Sequence, residues 1–283
     1  MKSVVIPTRN DNYGYFLTER TIQCLNNMVT NFDEVIVVDW NSPDGVPAIR
    51  QAINSIQKTG KIRCIVVPKE VVEKHIQHDT NPCCDVIARN VGIRRARSEW
   101  ILSSNIDILC SPFDERSLSS DTMYTSAKHT VPEHIHLLHT LPMSNEDKMM
   151  FLKNNKQHFP RMELCANSIH HRDDVYSLCT GCGDFQLAHR DLWNAIRGYE
   201  EALHKRDYAD TNVQVKAANH PSKKISLLDV DIFHMNHDTK CPYLTKGSSL
   251  AMNKKEDAFV TYATTANSET WGLADHTFEE IMI

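Results

Sequence analysis

A chain of 283 residues, 41% hydrophobic and 24% charged, has the composition of an ordinary folded protein and can bury roughly three quarters of its unfolded surface. A net charge of −5, with no basic stripe, argues against nucleic-acid binding by phosphate neutralisation. No apolar run approaches the ~20 residues of a membrane span, and nine cysteines without regular spacing fit reduced thiols and a cytoplasmic location better than a disulfide framework.

Residues 3–6 are a β-branched run that predicts a buried strand, stopping at Pro7 and opening into a polar loop with Thr8 and Arg9. Residues 17–29 carry Ile22, Leu25 and Met28 or Val29 at helical spacing. A second buried strand is expected at 34–38, ending in the turn-rich stretch Asp39-Trp40-Asn41-Ser42-Pro43-Asp44-Gly45. A helix at 47–57, a strand at 62–67, a helix at 86–96 and a strand at 100–103 follow. Continuous apolar strands alternating with amphipathic helices predict an α/β fold with a mainly parallel sheet covered on both faces, its crossovers right-handed.

After Asp107 the pattern lapses. Residues 108–165 are rich in Ser, Thr, His, Met and Pro, and read as loops and an insertion with one helix at 145–155. Regularity returns at 183–188, with helices expected at 191–197 and 209–217 and a strand pair within 225–233. The last 40 or so residues are polar and carry no clear period.

In an open α/β sheet, ligands sit beyond the C-terminal ends of the strands. Asp39, closing the second strand, could accept a hydrogen bond from a base edge such as the ring N–H of uracil, or could cap the following turn. Asn105 and Asp107 share a face of an extended segment, where a carboxylate suits a hard divalent cation such as Mn²⁺ or Mg²⁺ bridging phosphates. An imidazole from His234-Met235-Asn236-His237-Asp238 could complete that shell. The same two histidines could instead join Cys179 and Cys182 in a zinc site, although the pairs lie far apart in sequence. Glu200, Glu201, Asp207 and Asp210 form an acidic stretch from which one carboxylate could serve as general base, or simply dress a helix N-terminus. No Gly-rich phosphate loop follows the first strand, which disfavours a nucleotidyltransferase.

Val-Val-Ile-Pro-Thr-Arg-Asn, Val-Ile-Val-Val-Asp-Trp-Asn-Ser, Ala-Arg-Asn-Val-Gly-Ile and Trp-Ile-Leu-Ser-Ser-Asn-Ile-Asp, in that order, resemble the nucleotide-binding half of GT-A fold glycosyltransferases, close to family 2. The block 181–217 is similar to the acceptor-side half of that superfamily and of galactosyltransferase-type C-terminal domains. The resemblance implies a single GT-A (Rossmann-like) domain whose nucleotide-sugar half spans 1–110 and whose acceptor-binding and catalytic half spans 111–283. It implies a donor site at Thr8, Arg9, Asp39, Arg89 and Asn105, and metal ligands at Asp107 with His234 or His237. Asp210 would be the catalytic base, with Asp184, Glu200 and Glu201 on the acceptor side.

The chain departs from the family pattern at Asn105, which stands for the first Asp of the DxD motif, at Trp40, and at Ala209 and Asn212 beside Asp210. The implied activity is metal-dependent transfer from a nucleoside diphosphate sugar, a UDP-sugar above all, to a glycan or glycoconjugate hydroxyl with inversion. The contrasting expectation is a non-catalytic sugar- or nucleotide-binding protein on the same fold. The implied role of Asp107 predicts that Asp107→Ala abolishes metal-dependent UDP binding and spares the fold.

Overall fold

The computed structural model describes residues 1–43, 49, 56, 59–75, 84–162, 183–203, 208–221, 224–238, 254 and 256–283. Most of the helix expected at 47–57 lies outside that set, as do Cys179, Cys182 and Asp207. The first four strands are β1 (Lys2–Thr8), β2 (Glu34–Trp40), β3 (Ile62–Val67) and β4 (Trp100–Ser104). They run parallel, with β1 between β2 and β4. The strand order therefore turns at β1: the chain steps from β1 to β2 and β3 on one side, and returns to β4 on the other.

Alternation along these strands divides the core. Val4, Ile6, Val35 and Val37 face helix α1 (Leu17–Asn31), which buries Leu17, Cys24, Leu25 and Met28 against them. Val5, Ile36 and Val38 face the opposite layer, where helix α2 (Lys69–His75) supplies Val71 and Val72, and α3 (Asp85–Arg95) supplies Val86, Ile87 and Val91. Gly92 allows α3 to sit close on the sheet, since a Cβ there would lie 2.4 Å from Val5 Cγ1.

The stretch expected to be loops and an insertion is more regular than that. It contains β5 (Ile108–Cys110), β6 (Thr122–Thr125), β7 (Lys128–Val131), helix α4 (Asn145–Asn155) and β8 (Arg161–Met162). Further along come β9 (Phe185–His189), α5 (Arg190–Ala195), α6 (Ala209–Asn219), β10 (Lys224–Leu227), β11 (Ile232–Met235) and β12 (Glu279–Met282). The large sheet has the order β10-β6-β9-β4-β1-β2-β3-β12, mixed but with its central strands parallel. Its outer strands come from the second half of the chain, so both halves share one sheet.

Strands β10 and β11 are not paired with each other, as the 225–233 pattern suggested. β10 extends the large sheet beside β6, whereas β11 lies in a four-stranded sheet of order β5-β11-β7-β8. Edge strand β12, within the segment that carries no period, pairs antiparallel with β3. Among the described residues no helix is long and apolar enough to cross a membrane.

Candidate active site

Strand pairing brings distant residues to the C-terminal end of β4. Asp107 lies between β4 and β5, and β11 runs antiparallel to β5 with His234 opposite Ile108. The Met235 N–H donates to the Asp107 carbonyl at 2.9 Å, which fixes this register beside the carboxylate. His237 Nε2 lies 2.8 Å and His234 Nε2 3.6 Å from Asp107 Oδ2. One ligand atom from each of the three residues lies within 4.8 Å of the others. Asp107 Oδ1 is buried without a hydrogen-bond partner. His237 Nδ1 is 2.7 Å from the Asp238 carbonyl, a contact that makes Nδ1 the donor and turns Nε2 toward Asp107. A buried carboxylate with a spare oxygen and two imidazoles fits a divalent cation that accepts both oxygen and nitrogen.

The electrostatics match this geometry. Burial alone would raise the Asp107 pKa, but hydrogen bonds and charge from His234 and His237 hold it well below the usual carboxylate range. Burial lowers the His234 pKa, and Asp107 more than reverses it, leaving a net rise.

Beneath the triad lies a residue that sequence reasoning passed over. Arg20 on α1 is 1% exposed and places Nη1 3.3 Å from Asp107 Oδ2. Its Nε and Nη2 donate to the Tyr15 carbonyl at 3.3 and 3.2 Å, and Nη2 also donates to the Tyr13 carbonyl. Its position three residues after Leu17 and four before Cys24 puts a charge in phase with the apolar stripe of α1. That is a legible sign of a buried partner. The loop it holds packs on the triad: the Tyr13 ring meets His237 edge-on at 5.4 Å.

On the other side of β4 runs a chain of polar contacts. Arg89 on α3 donates to Ser103 Oγ at 2.8 Å, to the Ser104 carbonyl at 3.1 Å, and to Asn105 Oδ1. Asn105 Nδ2 donates to Asp184 Oδ1, and Lys128 on β7 pairs with Asp184 Oδ2. Asn105 is thus held between a guanidinium and a carboxylate, while Arg89 fixes the end of β4 from below. Tyr199 adds its hydroxyl, 3.0 Å from Ser103 Oγ, and burial raises its pKa to about 12.

Asp210, in the first turn of α6, is half-buried and lies against Gly183, next to Asp184. Burial raises its pKa, and Asp184 raises it further. Asp184 is therefore hydrogen-bonded to Asn105 and close enough to Asp210 for its charge to act there.

Thr8 and Asp39 are register partners at the ends of β1 and β2. Asp39 Oδ1 accepts from Ser42 N and Oγ at 3.2 and 2.7 Å, and Oδ2 accepts from Ile49 N at 3.3 Å, so it does cap its own turn. The Asn10 N–H reaches the same Ser42 hydroxyl at 3.0 Å, tying the loops after β1 and β2 together. Between them, Arg9 keeps a buried Nε with no partner.

Glu200 and Glu201 turn inward. Glu200 pairs with buried Lys216 at 3.6 Å and accepts from Ala266 N at 3.1 Å. Glu201 accepts from Asn90 Nδ2 at 2.9 Å and from Gly272 N at 2.7 Å. Both hold the 198–201 turn to α3, α6 and the 266–272 segment, using the carboxylates that the sequence assigns to an acceptor.

A parallel α/β sheet that reverses order at β1, with a carboxylate–imidazole cluster at the C-terminal end of β4, defines a protein of GT-A architecture. The family model described as "Glycosyl transferase family 2" matches residues 3–116, so that stretch of the chain is similar to a glycosyl transferase family 2 domain.

Among solved structures, GalNAc-T7 with UDP, GalNAc and Mn²⁺ superposes with a TM-score of 0.53 at 8% identity, over 84% of this chain and 44% of that one. That likeness is one of fold. S. aureus TarS 1–349 matches at 17% identity and a TM-score of 0.46, over 82% of this chain and 60% of that one. The same protein in complex with UDP matches at 16% and 0.44, with the same coverage. No curated protein sequence matches. The chain thus spans less than two thirds of the length of these structures.

Proposed function

We propose that the protein is a metal-dependent glycosyltransferase that moves a hexosyl or pentosyl group from a UDP-sugar to a hydroxyl of a glycan or glycoconjugate, with inversion. The observation that carries this reading is the convergence of Asp107, His234 and His237 at the C-terminal end of β4, beside the strand where the sheet reverses. The UDP bound by TarS and the UDP and Mn²⁺ bound by GalNAc-T7 accord with it. Two imidazoles beside one carboxylate favour Mn²⁺ over Mg²⁺, which prefers an all-oxygen shell.

Asp107, His234 and His237 would hold the cation, which neutralises charge on the departing diphosphate when bound. Thr8 and the loops tied through Asn10, Ser42 and Asp39 would shape the nucleoside pocket, with the unpartnered Arg9 Nε as a further donor. Arg89 and Asn105 would set the height of the β4 end against the diphosphate. Asp210, with a carboxyl pKa raised by burial, would take the proton from the acceptor hydroxyl at Oδ2. Asp184, fixed by Asn105 and Lys128, would orient that acceptor. The described cysteines Cys24, Cys84 and Cys110 are buried free thiols, in keeping with a cytoplasmic location as part of the same proposal.

Purified protein with Mn²⁺ and a panel of UDP-sugars tests the reading by donor hydrolysis or transfer, with proton NMR of the anomeric product. Turnover with an inverted anomer is expected. UDP-sugar binding without any turnover would support a non-catalytic binder, and a retained anomer would remove Asp210 as the inverting base.

A further inference from the structure

We infer that Arg20 makes this a charge-balanced site, one that takes a divalent cation only together with the nucleoside diphosphate. The inference rests on the function proposed above. Asp107 is the sole carboxylate of the triad, and Arg20 already holds its Oδ2 at 3.3 Å. The neighbouring DxD position offers no second charge, because Asn105 stands there and is bound to Arg89. Asp184, whose charge also acts on His234, is matched by Lys128. Asp107 and Asp184 thus each carry a cationic partner before any metal ion arrives.

Arg20 is built to stay in place. It is 1% exposed, and its other nitrogens are fixed by the Tyr13 and Tyr15 carbonyls. The loop presenting those carbonyls is held in an unusual shape: Asn12, Gly14, Tyr15 and Phe16 all have φ between 51° and 69°. Gly14 packs so closely on the triad that a Cβ would lie 2.4 Å from His237 Nδ1 and 2.5 Å from the Asp238 carbonyl. Bulky residues keep left-handed backbone only where surrounding contacts over-determine it. Here the contacts are the guanidinium on one side and His237 on the other. A cation that takes the spare Asp107 Oδ1 meets a fixed positive charge already held on the other oxygen of the same carboxylate. A diphosphate supplies the negative charge that offsets both.

Titration of Mn²⁺ followed by the EPR signal of the free ion, with and without saturating UDP, tests this on the protein as it stands. The expected result is Mn²⁺ affinity about a hundredfold tighter with UDP than without. In Arg20→Gln, affinity for Mn²⁺ alone should rise about tenfold as the competing charge is removed. In Arg20→Lys, which keeps the charge, it should stay near wild type. Wild-type Mn²⁺ affinity that is within a few-fold with and without UDP overturns the inference, as does an Arg20→Gln variant that binds Mn²⁺ no tighter than wild type. Should Arg20→Gln fail to fold by circular dichroism, the two wild-type titrations decide the matter alone. Failure to bind UDP at any Mn²⁺ concentration would instead remove the proposed function beneath it.

Discussion

Removing Asp107 should damage stability as well as metal binding, contrary to what its sequence context suggests. Asp107→Ala deletes the ligand that both imidazoles face, and it strips Arg20 of its acidic partner in a setting where Arg20 is 1% exposed. Breaking a buried pair by removing one partner costs about 3–5 kcal/mol, because the other charge is left uncompensated. That is a large part of the roughly 5–15 kcal/mol that holds an ordinary protein folded. In a chain of this size it corresponds to a fall in Tm of roughly 10 °C. Thermal melts by circular dichroism measure the fall, and calorimetry with Mn²⁺ and UDP measures the lost binding. Replacing both members, Asp107→Leu with Arg20→Leu, should restore most of the Tm and none of the metal binding. A single variant melting within a degree or two of wild type would refute the pairing argument.

Asp210→Asn should leave Mn²⁺–UDP affinity intact and cut turnover by roughly 10² or more. Because burial raises the Asp210 pKa, wild-type kcat should fall with decreasing pH along a limb lying above the ordinary carboxylate value of 3.8, and the limb should be absent in the variant. Gly183→Ala would set a Cβ 2.1 Å from Asp210 Oδ2; displacing that carboxylate should cost roughly tenfold or more in kcat with unchanged Mn²⁺–UDP binding. Gly92→Ala drives a methyl to 2.4 Å from Val5 Cγ1, and overpacking should outweigh the gain in helix propensity, lowering stability by about 1–2 kcal/mol in urea unfolding with no change in the metal site.

The half of the molecule built on continuous apolar strands was legible from its residues. Val4 to Ile6, Val35 to Val38 and Ile101 to Leu102 read as buried strands because both of their faces are covered, and the structure makes them the parallel centre of the sheet. Helices α1, α3, α5 and α6 followed from spacing to within a few residues. The small sheet did not. Strands of two to four residues such as β5, β7, β8 and β11 are too short to display a period, and long-range pairing fixes their register.

The site divides along the same line. Asp107, His234 and His237 stood out because polar groups follow strand ends, and β11 on β5 brings them together. Arg20 is a charge within an apolar stripe whose partner only the structure names, and Lys128 lies in a strand with no pattern of its own. Glu200 and Glu201 looked available because sequence cannot show that Lys216, Asn90 and Gly272 occupy them.

Whether Asp107, His234 and His237 together hold one divalent cation against UDP is measured most directly by pulsed EPR of the Mn²⁺–UDP complex. The account predicts nitrogen coupling from two imidazoles, one lost in His234→Ala and the other in His237→Ala, each with weakened UDP binding. A Mn²⁺ centre with no nitrogen coupling, or histidine variants that bind Mn²⁺–UDP as tightly as wild type, would contradict it.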